Sequence, residues 1–357
     1  MTTSPNLPGR LGRPDLELRD DPRADPRMLA AMAPFGLDGF LPPPEVDADD
    51  PIEDLHAHAS ASEEGFGLMF SAFFDDLPEL DVERRTEVIT GEDGNDISLY
   101  VHRPAGLDEP VPGIVHSHGG GMVIAAAADA NYARWRDELA AAGLVVIGVE
   151  FRNGSGKLGN HPFPAGLNDC ASALDWTAAN REALGVDSIV LSGESGGGNL
   201  ALAGALKAKR DGRLGLVDGV YAQCPYISNR YAGDPDLPSL VENDGYFLSG
   251  QMMGPLARLY DPTRESATDP LAWPYHAPVE DLAGLPPHVI SVNELDPLRD
   301  EGLAYFRKLL AAGVPAVSRT VNGTCHAGDV LFRKAMPDVY AASIADVVSF
   351  ATSLVRS

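Results

Sequence analysis

Lysine and cysteine are scarce in this chain, and long apolar runs are absent from it. Only five of its 27 basic residues are lysines, at 157, 207, 209, 308 and 334, against 52 acidic residues. The net charge is −25 and the pI about 4.6. Such a surface repels phosphate backbones and anionic headgroups, which excludes nucleic acid and membrane surfaces as partners. Three cysteines, Cys170, Cys224 and Cys325, make no disulfide framework, and an odd count suits a reducing compartment. No apolar stretch approaches the roughly 18 residues that span a bilayer. The opening M-T-T-S-P-N-L-P-G-R has no apolar h-region, so no secretory leader is expected. These absences point to a soluble cytoplasmic protein, with a homodimer left open as its oligomeric state.

What is present is bulk and rhythm. The chain has 357 residues, 44% of them hydrophobic, enough for one large core with a lid. From Arg85 onward strands alternate with helices. Thr86–Thr90 and Ile97–His102 read as a hairpin about Asp93-Gly94-Asn95. Strands follow at Val111–Ser117, Leu144–Phe151, Ile189–Leu191, Gly219–Cys224, His288–Asn293 and Ala316–Val321. Leu144–Phe151 is too apolar to face water, as in a parallel sheet. Helices are expected at Ala130–Ala142, Ala165–Glu182, Asn199–Lys209, Gly302–Ala312 and Ala335–Val355. The pattern predicts an α/β, doubly wound, eight-stranded, mostly parallel sheet flanked by helices. Two stretches break the rhythm. Residues 1–80 begin with a Pro-, Arg- and Asp-rich segment, loose or draped over a partner, then a short helix at Arg27–Ala33 and a longer one at Ile52–Asp75. Residues 229–272 form the second. Both are candidates for a helical cap over core segments 81–228 and 273–357.

The chemistry gathers at Ser188–Arg210. Ile189–Leu191 is a buried strand, Gly193-Glu194-Ser195-Gly196-Gly197 a turn, and the residues after it a helix ending in Lys and Arg. Glycines two before and two after Ser195 let strand and helix approach around a strained residue. Strand, turn and helix are the context that marks G-x-S-x-G as a nucleophile elbow. A phosphate loop would need Gly-Lys-Ser/Thr after the glycines, where Asn199 and Leu200 stand instead.

A serine nucleophile needs a base, an acid that orients it, and donors for an oxyanion. Three histidines follow Ser195: His276, His288 and His326. His288 begins a strand, and His276 lies before it. His326, in N-G-T-C-H-A-G-D, falls just past the carboxyl end of the last strand, where open α/β sheets place ligands. Asp296 is the first Asp beyond the strand V-I-S-V-N, with Glu294 as a second choice; Asp300 and Glu301 suit the start of the next helix. His118-Gly119-Gly120-Gly121-Met122 closes the third strand, and its glycines bring bare N–H groups near a developing charge, joined by Gly196. Two of Gly119, Gly120 and Gly121 are expected to donate, Gly120 together with either Gly119 or Gly121. His118 is expected to anchor that loop. His116 and His118 also read as a metal pair, but no later series of His or Asp ligands accompanies them, so no metal is expected. His56 and His58, another H-x-H, are assigned to the surface. Apolar, adaptable side chains at Met122, Phe70, Phe247 and Met252 are candidate pocket walls.

Together H-G-G-G, H-P-F-P-A-G-L-N-D-C, G-E-S-G-G-G-N-L-A, L-P-P-H-V-I-S-V-N-E-L-D-P-L-R-D-E-G and C-H-A-G-D resemble the hormone-sensitive-lipase-like bacterial carboxylesterases, from about Ala105 to the C-terminus. The resemblance implies the α/β-hydrolase fold, a cap built from the N-terminus and the insert, Ser195 as nucleophile, Asp296 as acid, His326 as base, and Gly119–Gly121 with Gly196 as oxyanion hole. It implies a serine carboxylesterase; the apolar side chains of the two cap candidates lead us to expect short- to medium-chain or small aryl and alkyl esters as substrates, with no cofactor required. Phe151-Arg152 in place of Tyr-Arg, the 153–160 loop, and Ala-Gly-Asp after His326 depart from the common pattern and indicate a side branch near the brefeldin A esterase type. An amidase or carbamate hydrolase with the same triad, and a non-catalytic small-molecule receptor on this fold, are the alternatives.

Overall fold

In the structure, a computed structural model describing residues 7–354, all eight expected strands form one sheet. They are β1 (Val82–Thr90), β2 (Asp96–Pro104), β3 (Val111–Ser117), β4 (Val145–Val149), β5 (Val186–Glu194), β6 (Gly219–Gln223), β7 (His288–Asn293) and β8 (Ala316–Val321). Their order is β1-β2-β4-β3-β5-β6-β7-β8. β2 runs antiparallel to both β1 and β4; every pair from β4 to β8 is parallel. β4, β6 and β7 are buried throughout, which is why their residues read as continuous apolar runs. β1 begins four residues earlier than expected, because the polar residues Glu83–Arg85 lie on an edge strand whose outer side is solvated.

The sheet reverses its order at β3. β4 lies on one side of it and β5 on the other, so a crevice opens at the carboxyl ends of β3 and β5. Register pairs Ser117, the last residue of β3, with Gly193. The glycine loop after β3 and the serine turn after β5 are therefore neighbours by construction. β7 and β8 are likewise adjacent, with Asn293 opposite Val321, which brings the segments carrying Asp296 and His326 together.

Helices cover both faces. The expected Ala165–Glu182 helix ends at Ala179, and a separate turn, Arg181–Leu184, leads into β5 through left-handed Gly185. The last helix, Pro337–Ser353, starts at a proline rather than at Ala335; Val355 lies outside the described residues.

Residues 1–6 of the segment expected to be loose lie outside the described residues; from Leu7 onward the N-terminal segment differs from that expectation and is packed down. Leu18, Met28 and Met32 are fully buried. Tyr246 donates its hydroxyl to Leu16 O at 2.8 Å, and the Asp25 amide donates to Gly323 O at 2.9 Å. Arg23 and Arg299 share the carboxylate of Glu242 at 2.5 and 2.7 Å. Met and Leu among the charges at 16–32 are the reason: spaced through a polar stretch, they have an apolar surface of this same chain to cover. The Ile52–Phe74 helix packs on the Gly250–Tyr260 helix of the 229–272 stretch, and Phe66 meets Phe247 edge-on with ring centroids 6.4 Å apart.

Candidate active site

Ser195 occupies the tip of a turn in which backbone touches backbone. A Cβ added at Gly197 would lie 1.9 Å from Ser117 O, and one at Gly193 2.4 Å from both Ser117 O and the Gly197 carbonyl carbon. Only glycine permits this approach. It holds Ser195 at φ +56°, a sparsely populated region for a side-chain-bearing residue, between β5 and the helix Gly196–Arg210. The Ser195 amide is spent on Gln223 O at 2.9 Å. Asn199 fastens the helix by donating to Tyr226 O and Ala272 O, each at 2.9 Å.

His326 and Asp296 are both buried, with Nδ1 2.8 Å from Oδ2. The other Asp296 oxygen accepts from the Leu298 amide at 2.9 Å. An ionised carboxylate only accepts, so the shared proton sits on Nδ1 and Nε2 is left as the basic nitrogen. Two residues that sequence reasoning passed over support this pair. Asn293, at the end of β7, donates to Thr324 Oγ1 and Asp329 Oδ1 and accepts from the Ala327 amide. Asp329 in turn accepts from Ser343. Asp329 stands inside the quoted C-H-A-G-D; its signal was an acid three residues past the histidine.

The rival histidines are engaged elsewhere. His288 is buried in β7 against Pro286 O, and burial pushes its pKa down to about 4. His276 bonds Ser228 O at 2.8 Å. Glu294 accepts from the Gly323 amide, and Asp300 and Glu301 begin the Arg299–Ala311 helix as expected.

Two of the three loop glycines keep their amides for other use. The Gly119 N–H is taken by Glu194 Oε1 at 2.9 Å. The Gly120 and Gly121 amides donate to no other group among the described residues. Both glycines have positive φ, +96° and +64°. The loop lies against the elbow so closely that a Cβ on Gly196 would come 2.7 Å from the Gly121 nitrogen. His118 anchors the loop: its Nδ1 donates to Gly119 O at 2.7 Å, its ring stacks on Phe151 at 4.1 Å, and burial drives its pKa down to about 3. His116 faces Glu194 at 3.0 Å instead. The two therefore do not converge on a cation. His56 and His58 are half-buried rather than surface residues, and His56 bonds Ser155 Oγ at 2.8 Å. Among the described residues, Cys224, Asp296 and His326 place ligand atoms within 4.8 Å of one another. Burial and the nearby Asp296 raise the Cys224 thiol, which stays protonated, and the other two already bond each other; the set fits a metal poorly.

Ser195, His326, Gly119, Gly120 and Gly121 all line one cavity of about 340 Å³. Phe70, Phe247 and Met252 form part of its wall. Met122 does not: it sits in the core at 1% exposure, because the left-handed turn at φ +61° faces its side chain inward. The aromatic cluster of the Ile52–Phe74 helix divides by helical spacing. Phe66 and Phe70, four apart, face the cavity, while Met69, Phe73 and Phe74 are buried in the core.

A sequence profile of the α/β-hydrolase fold matches residues 114–329. The chain belongs to this family. It is 35% identical over 243 residues to the carboxylesterase NlhH of Mycobacterium tuberculosis, covering 67% of this chain and 72% of that protein. It is 34% identical over 220 residues to an arylesterase of Saccharolobus solfataricus, covering 60% and 67%. Among solved structures it superimposes on brefeldin A esterase, a bacterial homologue of human hormone-sensitive lipase, with a TM-score of 0.94 and 49% identity over 98% of this chain and 99% of that one. Esterase Est22 follows the same course with a TM-score of 0.84 and 37% identity over 94% and 99%. The hydrolase fold and the kinship to hormone-sensitive-lipase-like esterases that the motifs implied are thereby shown.

Proposed function

We propose that this α/β-hydrolase is a serine carboxylesterase with Ser195 as nucleophile, His326 as base and Asp296 as the acid that orients it. The observation that carries the reading is one cavity receiving three things: a serine at a strained elbow, a histidine whose Nδ1 is held by a buried carboxylate, and a glycine loop with unspent amides. Relatives named carboxylesterase, arylesterase and esterase support ester hydrolysis over the amidase and receptor alternatives.

In this mechanism Ser195 Oγ attacks the ester carbonyl and its proton passes to His326 Nε2. Asp296 stabilises the resulting imidazolium. The carbonyl oxygen becomes an oxyanion that meets the amides of Gly120, Gly121 and Gly196. Gly119, an expected contributor, is left out because its N–H is spent on Glu194. His326 returns the proton to the leaving alcohol. Water then repeats the sequence and frees the acid, and no cofactor takes part.

Residues 1–80 and 229–272 serve as the cap. Phe66, Phe70, Phe247 and Met252 close the cavity from that side. At about 340 Å³ it stands at the small end of ligand sites, which favours acyl chains of about C2 to C8. The three unpaired, buried cysteines support a cytoplasmic setting. A series of p-nitrophenyl esters of rising chain length, run with wild type and Ser195→Ala, tests the reading: hydrolysis of short esters by wild type and its loss in the variant are expected, and an active variant refutes the assignment.

A further inference from the structure

Gly119 is held from both sides by buried side chains that the ester chemistry does not consume. Its N–H donates to Glu194 Oε1 at 2.9 Å, and its carbonyl accepts from His118 Nδ1 at 2.7 Å. The second Glu194 oxygen lies 3.0 Å from His116 Nε2. Glu194 is 5% exposed and His116 fully buried. A carboxylate is costly to keep in such a place unless its oxygens are paired, and here each oxygen has one donor. Because a carboxylate only accepts, His116 carries its proton on Nε2, and its Nδ1 has no hydrogen-bond partner.

Position in the chain gives this pairing its consequence. Glu194 immediately precedes Ser195. Its carboxylate ties the loop that presents the Gly120 and Gly121 amides to the backbone that presents the serine. The loop needs such a tie, since three consecutive glycines have wide conformational freedom. The peptide joining Gly119 to Gly120 is planar and trans, so the Gly120 N–H points opposite to the Gly119 carbonyl that His118 holds. With the Gly119 N–H pinned as well, little rotation is left to the donor loop.

We propose that Glu194 is a positioning residue for ester hydrolysis: as a carboxylate bridging His116 and the Gly119 amide, it sets the donor loop at the distance from Ser195 at which Gly120 and Gly121 meet the oxyanion. This rests on Ser195 being the nucleophile. The residue between the first glycine and the serine of G-x-S-x-G is then part of the machinery and not a spacer.

Two substitutions separate positioning from packing. Glu194→Met fills similar space but carries no charge and offers only a weakly accepting sulfur. Glu194→Gln keeps an oxygen for the Gly119 amide and offers its NH₂ to His116 Nε2 once that ring moves its proton to Nδ1. kcat and KM for p-nitrophenyl butyrate are measured for both beside Ser195→Ala, together with melting temperatures and the inhibition constant of butylboronic acid, whose serine adduct is a tetrahedral boronate with a boron-bound oxygen in the place of the oxyanion. The expected result is a kcat loss of about tenfold to a hundredfold in Glu194→Met, short of the roughly 10²–10³ lost with an oxyanion donor itself. KM stays within about twofold, because the interaction acts on the transition state. Boronate inhibition weakens in parallel, and Glu194→Gln recovers most of the rate. A folded Glu194→Met with wild-type kcat, a change confined to KM, or equal loss in both variants overturns the proposal. Should Glu194→Met not fold, Glu194→Asp, too short to span both partners, is read the same way. Activity in Ser195→Ala overturns the nucleophile assignment instead.

Discussion

His326 Nδ1 lies 2.8 Å from Asp296 Oδ2, although 30 residues separate them in the chain. Both are buried, both follow the carboxyl ends of neighbouring strands β7 and β8, and His326 lines the same cavity as Ser195. Exchange of any member is expected to break the unit. Ser195→Ala and His326→Ala are each expected to lower kcat on p-nitrophenyl acetate by about 10⁴ or more, and the double variant by little more than either. Asp296→Asn is expected to be comparably severe, since it favours the wrong imidazole tautomer. Circular dichroism of each variant is expected to match wild type. A mild His326→Ala beside a lethal His276→Ala or His288→Ala refutes the assignment.

Charge on the oxyanion is met by backbone amides in this mechanism. Excess EDTA is therefore expected to leave the rate unchanged. A serine-directed organophosphate is expected to abolish it and to add its mass to the peptide containing Ser195. Loss of activity on chelation contradicts the amide-based mechanism.

In the proposed reaction the cavity wall is expected to set the size of the acyl chain. Phe70→Ala and Phe247→Ala each remove a ring from it. Both variants are expected to shift the preferred p-nitrophenyl ester toward longer chains, with the rate on acetate falling less than tenfold, an order-of-magnitude figure for lost apolar contacts. Melting curves accompany the kinetics, because truncating a buried aromatic such as Phe247 costs about 3 kcal/mol or more. Unchanged chain-length preference in two folded variants contradicts the cap assignment.

Gly197 is expected to be intolerant of alanine for reasons of fold alone. Its added Cβ would meet the Ser117 carbonyl oxygen at 1.9 Å, backbone against backbone, where no rotamer relieves the clash. The expected cost is on the order of 3 kcal/mol. Differential scanning calorimetry reads it as a drop of several degrees in Tm. Gly67→Ala is the control: no atom outside its own helix lies near its Cβ position, and Tm is expected to hold or rise.

Glu301 introduces a pH dependence of stability. Burial raises its pKa from 4.5 to about 8, although the Ile227 amide at 2.6 Å and the Ser228 hydroxyl both donate to it and oppose the rise. The folded state thus holds a proton that the unfolded state releases above pH 4.5. The stability this protonation contributes is full below pH 4.5 and is lost as the pH rises to about 8. The slope approaches about 1.4 kcal/mol per pH unit within that window. Glu301→Gln is expected to flatten the fall of Tm between pH 5 and 8 relative to wild type; parallel curves contradict it.

Local pattern was enough for much of this molecule. Apolar runs at 144–151, 219–224 and 288–293 have one use, as strands buried on both faces, and the residues between them have helical spacing. Gly193, Ser195 and Gly197 carry their own geometry, because only glycine allows backbone to meet backbone around a strained residue. The order Ser195, Asp296, His326 follows from which acids and histidines come after a strand end. Tertiary structure decided what depends on distance between remote segments. That the Gly119 amide is spent on Glu194, that Met122 turns into the core while Phe70 faces the cavity, and that Leu18, Met28 and Met32 bring the N-terminal segment down onto its own chain are contacts between residues far apart in sequence. Nothing in local spacing encodes them. A hydrogen bond or a buried methionine is specified by the partner that arrives opposite it, and that partner is fixed only when the sheet order β4-β3-β5 and the packing of the 9–74 segment against the 229–272 stretch are in place.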